Sequence, residues 1–208
     1  TEITQHIAQK FGVNSRILPM SDDPVQTIIE SDIGHLSFQE YFVKHQSKPC
    51  IRNISFNGST EASISPELKT VIRDNGFKAI IVCPSNPYLS IDPILSIKEI
   101  KSFIESSSIP VVAVSPIVGG KALRGPTAKI MHEMDIPVSV VSIAEHYHPL
   151  IDGLVIDHKD KIMSSKMQSM GIEVQVTNTV MNCDSDKIQL AQDVVEFSHM
   201  ISVKKDSL

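Results

Sequence analysis

Residues 78–116 read KAIIVCPSNPYLSIDPILSIKEIKSFIESSSIPVVAVSP. Two short apolar runs, AIIVC and VVAV, flank SIKEIKSFIESS, which reads as a helix. Short continuous Val/Ile strands alternating with helices mark a parallel sheet covered on both faces, because parallel neighbours need a long crossover between them. The alternation continues downstream. GPTAKIMHEM and SVVSIAEHYHPLI read as helices, GLVID as a strand, KDKIMSSKMQSMG as a helix, IEVQVT as a strand and DSDKIQLAQDVVEFSHMI as a final helix. Upstream, SPELKTVIRDNG carries Ser65 as an N-cap, Pro66 at the first helical position and Glu67 in the first turn. The expected fold class is α/β, a Rossmann-like parallel sheet flanked by helices.

The first sixty residues have a different rhythm. TEITQHIAQKFGV places Ile3, Ile7, Ala8 and Phe11 on one helical face that stops near Gly12. SRILPMSDDPVQTIIES reads as a short strand running into an Asp-Asp-Pro turn. HLSFQEYFV and CIRNISF read as an antiparallel pair joined through KHQSKP, a β-hairpin appendage over residues 35–56 and the small antiparallel element of the fold. The last residues, SVKKDSL, read as a frayed tail, and residues 1–208 as a single α/β domain.

Composition narrows the functional classes. With 208 residues the chain is long enough for one packed core, and 41% hydrophobic with 21% charged content sets it apart from disordered chains. A net charge of −5 with scattered Lys and Arg lacks the basic patch of a nucleic-acid binder, so no nucleic-acid partner is expected. A few local cations still suffice for a small anion. The three cysteines, Cys50, Cys83 and Cys183, are widely spaced without a CxxC pair, which argues against a disulfide framework or zinc site and for a reducing cytoplasm. No charged-then-apolar leader opens the chain, and runs such as IPVVAV are too short for a bilayer, so neither export nor a membrane partner is expected.

Ligands of doubly wound sheets bind beyond the carboxyl ends of the strands, which directs attention to four segments. PSNP follows AIIVC and sets Ser85 and Asn86 between Pro84 and Pro87. It reads either as a rigid cradle for a phosphate or base edge, or as a proline-rich turn in which Asn86 satisfies local backbone groups. SPIVGGKALRGP follows VVAV, beginning at Ser115. Its Gly119 and Gly120 permit close backbone approach, and Lys121 and Arg124 add positive charge ahead of a helix near Gly125. The segment matches neither GxxxxGK[ST] nor GxGxxG, and two solvated cations in a flexible loop are the alternative. In SDDP, Asp22 and Asp23 suit Mg²⁺ held through one or two carboxylates, or form a solvated acidic turn. In VTNTVM, Thr177, Asn178 and Thr179 read as turn or capping residues. His132, His146 and His148 lack metal-like spacing and read as surface or capping residues, and no GxSxG elbow is present.

Seven segments in this order resemble the 2-phospho-L-lactate transferase family of coenzyme F-420 biosynthesis: LPMSDDPVQT, FQEYFV, EASISPEL, PSNPYLSIDPIL, VVAVSPIVGGKALRGP, VIDHKD and TNTVM. The resemblance implies a magnesium-dependent enzyme that moves a 2-phospholactyl or phosphoenolpyruvyl group from a guanosine diphospho donor to the ribityl hydroxyl of the deazaflavin Fo. GMP is the product released, and the implied setting is a cytoplasmic homodimer. It sets Ser85, Asn86, Pro87, Ser115, Gly119 and Gly120 on the donor nucleotide, with Lys121 and Arg124 beside them. It makes Asp22 or Asp23 the Mg²⁺ ligand or the base for the acceptor hydroxyl. Members of the family carry a GGTG-type loop and acidic acceptor motifs upstream, and usually Gly where Cys83 stands here. No such loop precedes Thr1, so the resemblance implies the C-terminal portion of a longer transferase, inactive alone, with Cys83 at a buried strand end. The alternative is the related gluconeogenesis-factor branch, a non-catalytic regulatory protein that binds a nucleotide-sugar. That branch tends toward a glycine-serine-leucine loop in place of PSNP and lacks SPIVGG.

Overall fold

The computed structural model describes residues 1–74 and 76–207. In chain order the first elements are α1 (Glu2–Lys10), β1 (Gln26–Ser31), β2 (Gly34–Ser37), β3 (Ile51–Asn57), α2 (Pro66–Arg73) and β4 (Ile80–Val82). Next come α3 (Asp92–Leu95), α4 (Lys98–Ser106), β5 (Val111–Val114), β6 (Ile117–Val118), β7 (Lys121–Ala122) and α5 (Thr127–Glu133). The chain then forms α6 (Val140–Tyr147), β8 (Gly153–Asp157), α7 (Ser164–Gln168), β9 (Glu173–Thr177) and α8 (Asp184–Lys205). No helix among the described residues is long and apolar enough to cross a membrane.

The expected parallel sheet is present, with strand order β4-β5-β8-β9 and every pair parallel. Alternate residues of its continuous apolar strands serve opposite layers. Val112, Val114 and Val155 pack against Leu190, Val194, Phe197 and Ile201 of α8. Ala113, Leu154 and Ile156 face the larger core with Ile130, Met131, Ile143 and Met167 from α5, α6 and α7. Burying each such aliphatic side chain contributes about 1.5–3 kcal/mol, so the two layers hold the sheet from both sides. Gly153 opens β8 because α8 lies too close for a side chain: a Cβ there would fall 2.6 Å from Ile201 Cδ1 and 2.7 Å from Phe197 Cε1. The N-cap read at Ser65 is also present, its hydroxyl accepting from Leu68 N at 3.3 Å.

Cys83 departs from expectation, since it is exposed. β4 is the edge strand, and Ile81, two residues before Cys83, pairs with Val112 on the α8 side yet is 39% exposed. The layer under α8 does not extend that far. On α1 only Ala8 is buried, and Ile3, Ile7 and Phe11 are exposed.

The second sheet differs from the hairpin read over residues 35–56. Its order is β2-β1-β3, both pairings antiparallel, so VQTIIES supplies the central strand and the two segments read as partners flank it. FQEYFV is not extended, because Ser37 and Glu40 form a reciprocal cap that starts a π-helical turn at Glu40–Lys44. Glu40 Oε2 accepts from Ser37 N at 2.9 Å and from Ser37 Oγ at 2.8 Å, while Glu40 N donates back to Ser37 Oγ at 3.3 Å. The turn buries Tyr41 completely and stacks Phe38 on Phe42, ring centroids 5.4 Å apart and 12° from parallel.

This sheet is joined to the α/β layers through α5. Glu133 Oε2 accepts from Ile51 N at the start of β3 at 3.0 Å, and Lys129 Nζ pairs with Glu133, donates to Pro49 O at 2.7 Å and sits 5.8 Å from the centre of the Tyr41 ring. Burial pushes the Glu133 carboxyl up, but the Ile51 N–H, Lys129 and the Cys50 thiol together bring it below the ordinary value.

Two predictions follow from this packing. Gly153→Ala should destabilise the chain by about 1–3 kcal/mol in urea unfolding, the cost of overpacking a filled layer. Because Glu133 titrates lower in the folded chain than unfolded, its contribution is present above roughly pH 4.3 and disappears as pH falls through the folded value. Glu133→Gln should therefore lower stability at neutral pH by about 1–3 kcal/mol and flatten the acid limb of the stability curve; an unchanged acid limb would refute that role.

Candidate functional site

Parallel pairing brings the carboxyl ends of β4, β5, β8 and β9 to one edge of the sheet, where a cavity of about 790 Å³ opens. That volume lies within the range of small-molecule and cofactor sites, roughly 300–1,000 Å³.

At the β4 exit, both readings of PSNP apply together. Asn86 Oδ1 accepts from Tyr88 N at 3.0 Å and Leu89 N at 3.1 Å, capping a helical turn at Pro87–Ile91, and Ser85 and Asn86 both line the cavity. Pro87 is buried at the first position of that turn and is not part of the lining. Oδ1 is committed to two backbone donors, and Asn86 Nδ2 is buried without a hydrogen-bond partner among the described residues. The Tyr88 hydroxyl is likewise buried and unpartnered, and burial foremost, with the charge of Asp92, pushes its phenol up to about 12.

At the β5 exit, Ser115 lines the cavity and is 2% exposed, its N–H donating to Val155 O at 2.9 Å and its hydroxyl closing a turn with Ile117. Gly119 and Gly120, at φ 56° and 71°, form the two-residue turn of the β6–β7 hairpin, in which Val118 pairs with Lys121. Such a turn needs positive φ at both positions, so the glycines serve the hairpin. Neither they nor Lys121 lines the cavity, whereas Arg124 does, just ahead of Thr127 at the start of α5.

At the β9 exit, Asn178 closes a turn as read, whereas Thr177 ends the strand and ties it to α8 instead of capping or turning. Thr177 Oγ1 donates to the Asp193 carboxylate, and Asn178 Oδ1 accepts from Val180 N at 3.3 Å. Thr179, read with them as a turn residue, is buried and lines the cavity, as does Lys187 from the first turn of α8. Two carboxylates that sequence reasoning left without a role hold these loops. Asp157 Oδ2 accepts from Thr179 N at 3.1 Å and Oδ1 from Lys159 N at 3.1 Å, while Asp160 Oδ2 accepts from Gly119 N at 2.8 Å. Both are within VIDHKD, and their place at the end of a buried strand was the available signal. Phe38 and Phe42 supply an apolar wall that the Ser37-x-x-Glu40 spacing announces.

The lining contains no Asp or Glu, and its charged side chains are Arg124 and Lys187. Hydroxyls and amides from Ser85, Asn86, Ser115 and Thr127 complete its polar part, an arrangement suited to an anion with neutral polar groups. Asp22 and Asp23 stand outside it. Asp22 accepts from the Thr1 hydroxyl at 2.8 Å, and Asp23 Oδ2 accepts from Ser63 N at 2.9 Å, so each carboxylate ties this segment to a distant one. Among the described residues no three His, Cys, Asp or Glu side chains gather to hold a metal. The side chains at the cavity therefore do not fit a magnesium site, and no chemistry is assigned to that ion. His146 is more than a surface residue: its Nε2 lies 2.8 Å from Asp92 Oδ1, and its ring meets Tyr88 and Tyr147 edge-on.

Known proteins resemble this chain in sequence and in fold. It is 34% identical over 196 residues to the 2-phospho-L-lactate transferase of Methanosarcina mazei, covering 94% of this chain and 63% of the relative. It is 34% identical over 199 residues to that of Methanopyrus kandleri, with 94% and 61% covered. The chain thus spans about three-fifths of the length of these relatives. The crystal structure of protein BH3568 from Bacillus halodurans superposes with a TM-score of 0.58 at 14% identity, over 95% of this chain and 65% of that one, which shows a shared fold. A model of the family described as "2-phospho-L-lactate transferase CofD" matches residues 1–197, and the chain belongs to that family.

Proposed function

We propose that this chain carries the donor-nucleotide part of an enzyme that transfers a 2-phospholactyl or phosphoenolpyruvyl group from a guanosine diphospho donor to the deazaflavin Fo. The observation that supports this most is a carboxylate-free cavity with two cations at the carboxyl edge of the sheet, in a member of this family. In the proposed step the acceptor hydroxyl attacks the phosphorus that bears the lactyl group. The bond from that phosphorus to the bridging oxygen breaks, the oxygen leaves with GMP, and the hydroxyl proton passes to solvent or a base. Such chemistry depends on placing the reactants in line and neutralising phosphate charge. Arg124 and Lys187 are suited to the charge, Ser85, Ser115 and Thr127 to phosphate or ribose oxygens, and the Phe38–Phe42 face to a planar ring. Magnesium dependence and a homodimer belong to the same reading and rest on the family, and a cytoplasmic setting rests on the family and the spacing of the three cysteines.

Titration calorimetry with GDP and UDP tests the nucleotide. GDP should bind more tightly than UDP, and Arg124→Ala and Lys187→Ala should each weaken GDP about tenfold, the low end for a charged hydrogen bond at a partly open site. Equal or tighter binding of UDP would refute the guanosine donor and favour the regulatory branch. With donor present, GMP release by the full-length enzyme should require Fo; Fo-independent release would count against the transfer step. Asp157→Ala leaves the buried Thr179 N–H unpartnered and should cost about 1–3 kcal/mol of stability while weakening GDP, with Asp157→Asn milder because it keeps one acceptor oxygen.

A further inference from the structure

One segment, residues 84–90, carries five of the residues that line the cavity: Pro84, Ser85, Asn86, Leu89 and Ser90. It starts from a weak anchor. β4 has three residues and, among the described residues, pairs with β5 alone. The hydrogen bonds that Asn86 Oδ1 accepts from Tyr88 N and Leu89 N are internal to the segment, so they shape its turn without fixing where the turn stands. Burial of Tyr88 and Leu89 holds it against the core, but burial is non-directional. Direction needs a hydrogen bond to something outside the segment.

That bond is made at the far end. Asp92, which opens α3 directly after the turn, meets His146 of α6, its Oδ1 lying 2.8 Å from Nε2 across 54 positions of sequence. The two side chains are 25% and 22% exposed, so the bond is not one of the open surface pairs that contribute little. The His146 ring is held in turn, edge-on to Tyr88 with centroids 5.0 Å apart and edge-on to Tyr147 at 5.1 Å. α6 is a firm base, with Val140, Val141, Ser142, Ile143, Ala144 and Tyr147 all buried. One imidazole thus touches the turn at Tyr88, near its start, and at Asp92, at its end. The carboxylate faces the phenols as well, since after burial its charge is the next cause that raises both Tyr88 and Tyr147.

We propose that Asp92 and His146 are positioning residues: their hydrogen bond ties the turn at Pro87–Ile91 to α6 and so fixes where Ser85, Leu89 and Ser90 stand in the cavity. The consequence for binding rests on the guanosine-donor reading, whereas the tie itself does not. Neither residue lines the cavity, so an effect on the ligand must pass through the turn, and small misplacements of contact groups are costly.

The test is GDP calorimetry on His146→Phe, alone and combined with Ser85→Ala or Lys187→Ala. Phenylalanine keeps a ring against Tyr88 and Tyr147 but leaves Asp92 without its partner, and should weaken GDP about tenfold. Beside Ser85→Ala the cost should shrink, because the misplaced contact is already gone; beside Lys187→Ala, on a different element, it should remain in full. Asp92→Ala removes the same bond from the other side and should repeat this pattern, while Asp92→Asn keeps an oxygen opposite Nε2 and should stay within about twofold of wild type. Equal costs in both backgrounds, or wild-type affinity in His146→Phe, would overturn the positioning role. Amide exchange reads the tie without ligand: Tyr88 N and Leu89 N should exchange about tenfold faster in His146→Phe, with the amides of α8 unchanged. Unchanged exchange at Tyr88 and Leu89 would overturn the tie even where GDP binds. Wild type failing to bind GDP would overturn the donor reading, and the exchange rates would then decide the tie by themselves.

Discussion

The constraint on which the site depends is that parallel strands deliver all their exits to one edge, where backbone N–H groups lose their ladder partners yet remain partly buried. Such groups need other partners, and here side chains supply several of them. β8, which lies between β5 and β9, ends in the two acceptors that do this. Asp157 takes Thr179 N from the loop after β9, and Asp160 takes Gly119 N from the hairpin after β5. The opposite edge uses the same device. Asp152, just before β8, accepts from Val111 N at 2.8 Å through its side chain and from Glu173 N at 2.9 Å through its carbonyl, with Lys205 at 2.7 Å beside it. Aspartates thus bracket the central strand and set the loops of both its neighbours.

α5 links that edge to the second sheet. Its start, Thr127, lines the cavity, and Lys129 in its first turn with Glu133 at its end hold Pro49, Ile51 and Tyr41. Tyr41 belongs to the turn that presents Phe38 and Phe42. One short helix therefore fixes a polar and an apolar part of the same cavity. The Lys129–Glu133 pair along α5 is satisfied by Pro49 O and by Ile51 N at the start of β3, which ties the turn bearing the rings to this helix.

The α/β half was legible because its signals are local. Continuous Val/Ile runs, Ser65 with Pro66 and the strand exits at PSNP and Ser115 need no distant partner to be interpreted. The second sheet was not, because Phe38, Tyr41 and Val43 fit a strand pattern only with a slip, while the cap between Ser37 and Glu40 favours a helical turn and leaves the central place to Gln26–Ser31. The site was half legible for a related reason. Ser85, Asn86, Ser115 and Arg124 follow from the rule about strand ends, and so in position does Thr179. Gly119 and Gly120 answered to hairpin geometry, Asp22 and Asp23 to contacts with Thr1 and Ser63, and Lys187 is brought in by a helix that packs on the far face of the sheet. Sequence order cannot register that approach.

The protein carries a net charge of −5, yet its cavity is lined by two cations and no carboxylate. Lys187 is itself paired with Asp184 Oδ1 at 2.8 Å, so an anion at this edge would compete with that carboxylate for it. The lining also contains no His or Cys, so it lacks the side-chain types that titrate near neutral pH. What the cavity can do is hold, orient and neutralise. Removing a proton from an acceptor is a different task that these residues are not equipped to perform. In the proposed transfer, alignment and charge neutralisation would fall to this edge and proton removal to another group.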